Sequence, residues 1–325
     1  MRLQCLNAPG RKQYTGKRNM QKMCILAGLV ILCCLFSVIT DNFLTAKNIM
    51  NIALQTSICA IVSIGMTYVI GGGGIDLSVG SVAAFCGMTG ALLMKAGFPI
   101  WLSVTAAVMI GGLLGILNGF VIAVMGIAPF IATLGMNSVI RGTVYVMTDG
   151  VPVTGLPKGF GKIGGGRIGG WLPYAVIIMA VIAVIMAVIL KKSHFGRNIF
   201  AVGSNEQTAY LSGVKVIHTK IGMYMTCGIL SAIAGIILTS RLVTAAPTAG
   251  DAYETDAIAA TVIGGASLAG GTGSISGTMI GAFIMGVLRN GLNLVGLNYF
   301  WQQIAIGFVI IIAVYIDVVR GKMKK

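Results

Sequence analysis

The chain has 325 residues, 56% of them hydrophobic and only 10% charged, a balance that excludes a soluble globular protein. Its formal net charge of +15 would suit nucleic acid, but the basic residues gather in three tracts, 2–22, 191–220 and 320–325. Each tract abuts an apolar run, the positive-inside pattern of a membrane protein, so nucleic acid is not an expected partner.

The start has the basic and apolar regions of a signal peptide, with an apolar run over 24–39. No small-x-small cleavage site follows; Thr40-Asp41-Asn42-Phe43 comes instead, so an uncleaved first span is expected. Apolar runs then recur to Ile316 without the two-residue alternation of a transmembrane barrel, as 175–190 shows. The expected fold is all-α, a polytopic transmembrane bundle of about ten spans. They fall at 23–40, 49–70, 76–94, 99–118, 127–147, 173–190, 219–241, 253–268, 275–295 and 299–317. This gives a basic N-terminal segment over 1–22, a transmembrane domain over 23–318 and a basic tail over 319–325. An even number of spans puts both termini on one side, and all three basic tracts then lie in the cytoplasm.

Between the second and third spans stands Gly-Gly-Gly-Gly-Ile-Asp-Leu-Ser-Val-Gly-Ser, at 71–81. Broken helix and a carboxylate are costly against lipid and are tolerated where backbone is buried in protein or lines a polar path. Asp76 either caps the third span together with Ser78 or meets a solute; both roles are compatible if this loop lines the path. Further polar residues in or near spans are Asn118, Thr133, Asn137, Arg141, Asp256, Arg289, Asn290 and Asn293. Asn and Thr suit neutral hydroxyls, as in a sugar, and serve equally as glue between helices. Asn290 and Asn293, three apart, are expected to share a helical face.

Gly111, Gly115 and Gly119 repeat every four residues, as do Ala83, Gly87 and Ala91, and Gly277 and Gly281. Such spacing lets helix backbones approach closely. Val69-Ile70-Gly71-Gly72 recurs as Val262-Ile263-Gly264-Gly265, and Gly80-Ser81-Val82 as Gly273-Ser274-Ile275, at one common offset. This fits an internal repeat and equally a chance recurrence among 47 glycines; broken or half helices are expected beside the glycines, most of all in the short eighth span.

The long loop over 191–218 is too organised for a linker. Asn205 is placed to cap a short helix through Tyr210 or Leu211, ended by Ser212-Gly213. His194 and His218 lie in the same loop, and the seven cysteines fall mostly in apolar runs without a Cys-x-x-Cys pair, so no metal site and no bound cofactor are expected. Gly10 to Gly16-Lys17 is followed by Arg18 where a P-loop needs Ser or Thr, and no serine-hydrolase or zinc-protease motif occurs. The chain has no engine of its own. Active transport would draw on an ion gradient or on a separate ATPase, and buried carboxylates do not form a proton ladder.

Several of these stretches occur together and in order over about 45–318: Gly-Gly-Ile-Asp-Leu-Ser-Val-Gly-Ser (73–81), Asn118-Gly119, Pro-Phe-Ile-Ala-Thr-Leu-Gly-Met (129–136), Arg141-Gly142, the 203–213 loop, and the glycine-rich 260–278. The chain thereby resembles the membrane permeases of ribose-type sugar ABC transporters. That resemblance implies a bacterial inner-membrane, multi-pass subunit that carries a monosaccharide inward. It implies a second permease copy (identical or a close paralogue), a cytoplasmic ATPase holding ATP and Mg, an extracytoplasmic sugar-binding protein and surrounding lipid. It further implies that 191–218 is the coupling loop docking on the ATPase, with Gly203, Asn205, Glu206, Ala209, Leu211, Ser212 and Gly213 as its motif positions. Thr208-Ala209 stands where the family often has two alanines. Deleting 203–213 is expected to uncouple transport while leaving the fold. Candidate path residues are Asp76, Ser78, Asn118, Thr133, Asn137, Asn290 and Asn293. The competing reading is a secondary carrier or facilitator that works alone, and a related group carries branched-chain amino acids.

Overall fold

The computed structural model describes residues 10–322, so Met1 to Pro9 and Met323 to Lys325 lie outside the described part. Among the described residues the fold is helical, with two two-residue strands. The helices in order are α1 (Gly10–Ile39), α2 (Ala46–Gly71), α3 (Val79–Lys95), α4 (Ile100–Ala123), α5 (Pro129–Thr148), α6 (Gly161–Gly165) and α7 (Tyr174–Lys192). There follow α8 (His194–Ser204), α9 (Glu206–Leu211), α10 (Val216–Leu242), α11 (Tyr253–Ile263), α12 (Ile275–Leu294) and α13 (Tyr299–Lys322). Six of them, α2, α4, α7, α10, α12 and α13, are long and apolar enough to cross a membrane. The apolar part of α1 and the whole of α3 are shorter, and α5 carries too many polar residues to meet the same measure.

Local chemistry explains the boundaries. Thr45 caps α2, its hydroxyl accepting from the Asn48 N–H at 3.3 Å, and the helix runs until Gly72 and Gly73, where a φ of +80° at Gly73 turns the chain. Pro129 opens α5, where its missing N–H costs nothing. Ser274 caps α12 through the Gly277 N–H at 3.2 Å. The first helix begins at Gly10 and so extends into the basic segment. The third begins at Val79 because Asp76, Leu77 and Ser78 form a turn outside it. The eighth expected span ends at Ile263, stopped by Gly264-Gly265, and is an eleven-residue half helix. The helices α6 and α8, and the hairpin in which β1 (Arg167–Ile168) pairs antiparallel with β2 (Leu172–Pro173), were not expected.

The core sits on α2 and α10, whose apolar side chains are buried along most of their length. The helices around them approach backbone to backbone. A Cβ on Gly115 would lie 2.7 Å from the Cα of Met225, and one on Gly119 2.6 Å from the Cα of Ile221. A Cβ on Gly111 would lie 2.7 Å from the Gly228 carbonyl oxygen. Thus the glycine face of α4 is filled by the backbone of α10. Gly277 and Gly281 do the same for α12 against α11: a Cβ on Gly281 would stand 3.0 Å from the Gly264 nitrogen. A Cβ on Gly87 of α3 would lie 3.1 Å from the Gly235 carbonyl oxygen of α10.

Polar side chains close the remaining gaps. The Tyr68 hydroxyl donates to the Met186 carbonyl at 2.7 Å, tying α2 to α7, and the Thr67 and Thr278 hydroxyls lie 2.7 Å apart, tying α2 to α12. Ser240 accepts from the Gly164 N–H and donates to the Phe160 carbonyl, anchoring α6 on α10.

Both copies of the Val-Ile-Gly-Gly repeat mark the C-terminal end of a helix, α2 and α11, followed by a glycine loop and a rising helix. The two loops meet: the Gly271 N–H donates to the Gly71 carbonyl at 2.9 Å. That end also holds α8, α9 and the start of α10. At the opposite end lie the N-termini of α4, α7 and α13, and beside them Trp101, Trp171 and Trp301, all three exposed.

Candidate translocation and coupling site

The 72–78 loop brings one group of sequence-marked residues together. Asp76, 2% exposed, accepts at Oδ1 from the Ser78 N–H at 2.9 Å and from the Ser78 hydroxyl at 2.6 Å. The Ser78 hydroxyl in turn accepts from Asn118 Nδ2 of α4 at 2.8 Å. Asp76 therefore braces the turn leading into α3; it does not bond the first amides of the helix. Among the described residues, no basic side chain pairs with it. A buried carboxylate fed by an N–H and an O–H is held by hydrogen bonds rather than by a counter-charge. The Oδ1 of Asn118 is buried with no hydrogen-bond partner among the described residues.

Thr133 of α5 donates to the Pro129 carbonyl at 2.8 Å, with its hydroxyl also 3.3 Å from the Ile75 carbonyl. Tyr224 of α10 reaches the same carbonyl at 3.4 Å and is fully buried, a neighbour that sequence reasoning missed because it comes from a span 149 residues away. Asn137 lies one turn beyond Thr133, half-buried. Asp76, Ser78, Asn118 and Thr133 thus converge on one loop. Asn290 and Asn293 do not join them. Asn290 is buried against Asn48 of α2, whereas Asn293 is exposed, so the expected common face is divided between two surroundings.

The coupling motif forms α9. The Asn205 side chain accepts from the Thr208 N–H at 2.8 Å as N-cap, and the helix ends at Ser212 with Gly213 at φ +82°. Glu206 pairs with Lys220 at the start of α10 at 2.7 Å. Ala209 is buried against Val202 and Val216 and so seats the helix. Tyr210 and Leu211 project outward, 69% and 79% exposed. Tyr210 was not among the motif positions. Its adjacency to Leu211 on a capped, six-residue helix was the available signal.

Between these two groups opens a cavity of about 360 Å³, lined by Gly72 and Gly74 on one side and by Gly203, Glu206, Lys220 and Met223 on the other. The 72–78 loop and the α8–α9 segment are therefore neighbours.

A glycine-broken helical bundle with a capped, outward-facing short helix beside its polar loop fits a membrane permease subunit, the class that the family match assigns. The family described as the branched-chain amino acid transport system / permease component matches residues 48–314, and the chain belongs to that family. It is 46% identical over 300 residues to the ribose import permease protein RbsC of Bacillus subtilis (strain 168), covering 92% of this chain and 93% of that one. It is 43% identical over 312 residues to RbsC of Escherichia coli (strain K12), covering 95% and 97%. The L-arabinose transport system permease protein AraH of the same strain is 37% identical over 301 residues, covering 93% and 90%. No solved structure matches the chain.

Proposed function

We propose that the chain is the transmembrane subunit of an ABC importer and forms the path for a monosaccharide, ribose or a similar pentose. The observation that carries this reading is the near full-length similarity to ribose import permeases at higher identity than to the arabinose permease. The sugar is delivered by an extracytoplasmic binding protein, and a cytoplasmic ATPase holding ATP and Mg drives the cycle; this chain supplies the path and no hydrolysis. Two copies, or one with a close paralogue, pair in the plasma membrane with both termini in the cytoplasm, consistent with the three basic tracts.

In this reading α9 is the docking helix. Tyr210 and Leu211 are its anchors in the ATPase, because exposed aromatic and leucine side chains on a rigid helix are what a partner's groove takes up. Asp76, Ser78, Asn118 and Thr133 border the path, and Asn137 extends that border along α5. Asn290 and Asn293 stay as candidates at its far end.

The experiment is purification of the tagged chain in mild detergent with mass spectrometry of what accompanies it, followed by ribose uptake in proteoliposomes. Co-purifying ATPase and ATP-dependent uptake that Tyr210→Ala/Leu211→Ala abolishes support the reading. Uptake by the permease alone would instead favour a stand-alone carrier.

A further inference from the structure

The last turn of α8 touches both glycine loops at once. Gly203 is so close to them that an added Cβ would overlap the Gly71 carbonyl oxygen and lie 2.7 Å from the Gly271 nitrogen. From the other side, a Cβ on Gly270 would overlap the Gly203 carbonyl and stand 2.9 Å from the Cα of Gly73. The Gly271 N–H to Gly71 carbonyl bond closes the triangle. Gly73, Gly270 and Gly271 all have positive φ, so the loops present bare backbone to the wedge. On its far side Gly203 is two residues from Asn205, the cap of α9.

We infer that Gly203 is a positioning residue: the α8–α9 corner and the two loops of the repeat form one rigid unit, so a displacement of α9 reaches both halves of the path together. The inference rests on the ABC reading and adds to it how the coupling helix is connected. One loop, 72–78, leads directly to Asp76, Ser78 and Asn118. The other, 264–274, leads to the cap of α12 at Ser274. At Gly203 backbone meets the backbone of both loops without intervening side chains, so the three segments are in direct contact there even though a cavity opens beside them.

The test uses the purified permease–ATPase complex. Leu77→Cys and Leu268→Cys, one on each loop and both half-buried, are alkylated with and without trapped nucleotide, and labelling at each site is read by peptide mass spectrometry. Labelling is expected to change about threefold or more at both sites, and Gly203→Ala is expected to remove the change at both. A response at one loop only, or a response that survives Gly203→Ala, overturns the inference.

A second variant covers the case in which Gly203→Ala does not fold. A Cβ on Gly271 would lie 3.2 Å from the Ser204 Cβ, within reach of a disulfide after small adjustment. In Ser204→Cys/Gly271→Cys the oxidised complex is expected to take up ribose within about twofold of its reduced form, because the joined segments already move together. Arrest on oxidation that reductant reverses overturns the rigid unit. If the unmodified chain binds no ATPase, the reading beneath the inference fails, a result separable from either outcome.

Discussion

Asn48 and Asn290 exchange amide hydrogen bonds in both directions, each Nδ2 lying 2.9 Å from the other's Oδ1. Asn48 also donates to the Phe43 carbonyl at 2.9 Å, so the pair fastens the start of α2, the turn before it and the last third of α12. Both side chains are buried, and truncating one strands the other. Asn290→Ala is expected to cost about 1–3 kcal/mol, and the double variant Asn48→Leu/Asn290→Leu less than the sum of the two single leucine variants. Thermal unfolding in detergent with a double-mutant cycle measures this; additive losses would show the pair to be uncoupled.

Asp76 separates shape from charge. Asp76→Asn keeps an oxygen able to accept from the Ser78 N–H and hydroxyl, whereas Asp76→Leu removes it. Uptake is expected to stay within about tenfold of the parent for the amide and to disappear for leucine, with the leucine variant also less stable by about 1–3 kcal/mol. If the amide is as inactive as leucine, the charge itself is required and the bracing role is insufficient.

The glycine face of α4 offers an internal control. Gly115→Ala forces a methyl against the backbone of Tyr224 and Met225, while Gly135→Ala and Gly142→Ala on α5 enter open space. The first is expected to lower stability by about 1–3 kcal/mol and the α5 pair to change it by less than about 0.5 kcal/mol in the detergent-solubilised chain. Loss of assembly in the α5 variants without loss of stability would place the second permease copy on that face.

Buried Asp256 is ion-paired to Arg289 at 2.7 Å, which joins α11 to α12. Asp256→Ala is expected to destabilise by about 1–3 kcal/mol, since Arg289, whose side chain is 30% exposed, loses its carboxylate but keeps access to its surroundings, and Asp256→Ala/Arg289→Leu to recover part of that loss. Expression level and melting temperature in detergent decide; a double variant worse than the single would mean that Arg289 is needed for another contact.

Removing the Asn205 cap by Asn205→Ala should cost about 1 kcal/mol of local helix stability. Because α9 is short, the consequence is expected in ATPase binding rather than in global melting. The salt bridge from Glu206 to Lys220 is partly exposed and adds about 0–1 kcal/mol, so Glu206→Gln is the milder variant. Deleting 203–213 is no clean test of coupling, contrary to the expectation from the motif, because Gly203 packs into both glycine loops.

What could be read from the sequence was local. The Asn205 cap and the Ser212-Gly213 stop lie within one short segment, and α9 follows from them directly. The four-residue glycine spacing likewise declares a close helix contact. It does not name the partner, because α10 lies more than a hundred residues downstream. The helix α8 has a local start signal, Ser193 capping it through the Gly196 N–H at 3.0 Å, but its apolar run is only the four residues 199–202, too short to declare a helix. Arg141 is a charge inside α5 whose sequence neighbours offer it no counter-charge. Its partners are the Pro247 and Ala249 carbonyls and Asp251, all across a gap in sequence that no period reveals. Asp76 and Ser78 were recognisable as a pair; Asn118 as the donor to Ser78 was not, for the same reason.

The three tryptophans stand exposed at the end of the molecule opposite α9 and the glycine loops, and the chain has no others. Intrinsic fluorescence is therefore a one-sided signal. In the importer proposed above, emission and its quenching by lipid-borne bromine would register events at the face where a delivered sugar arrives, and would stay dark to docking at the ATPase face. The unlabelled chain thus carries its own optical report of arrival, free of any contribution from docking.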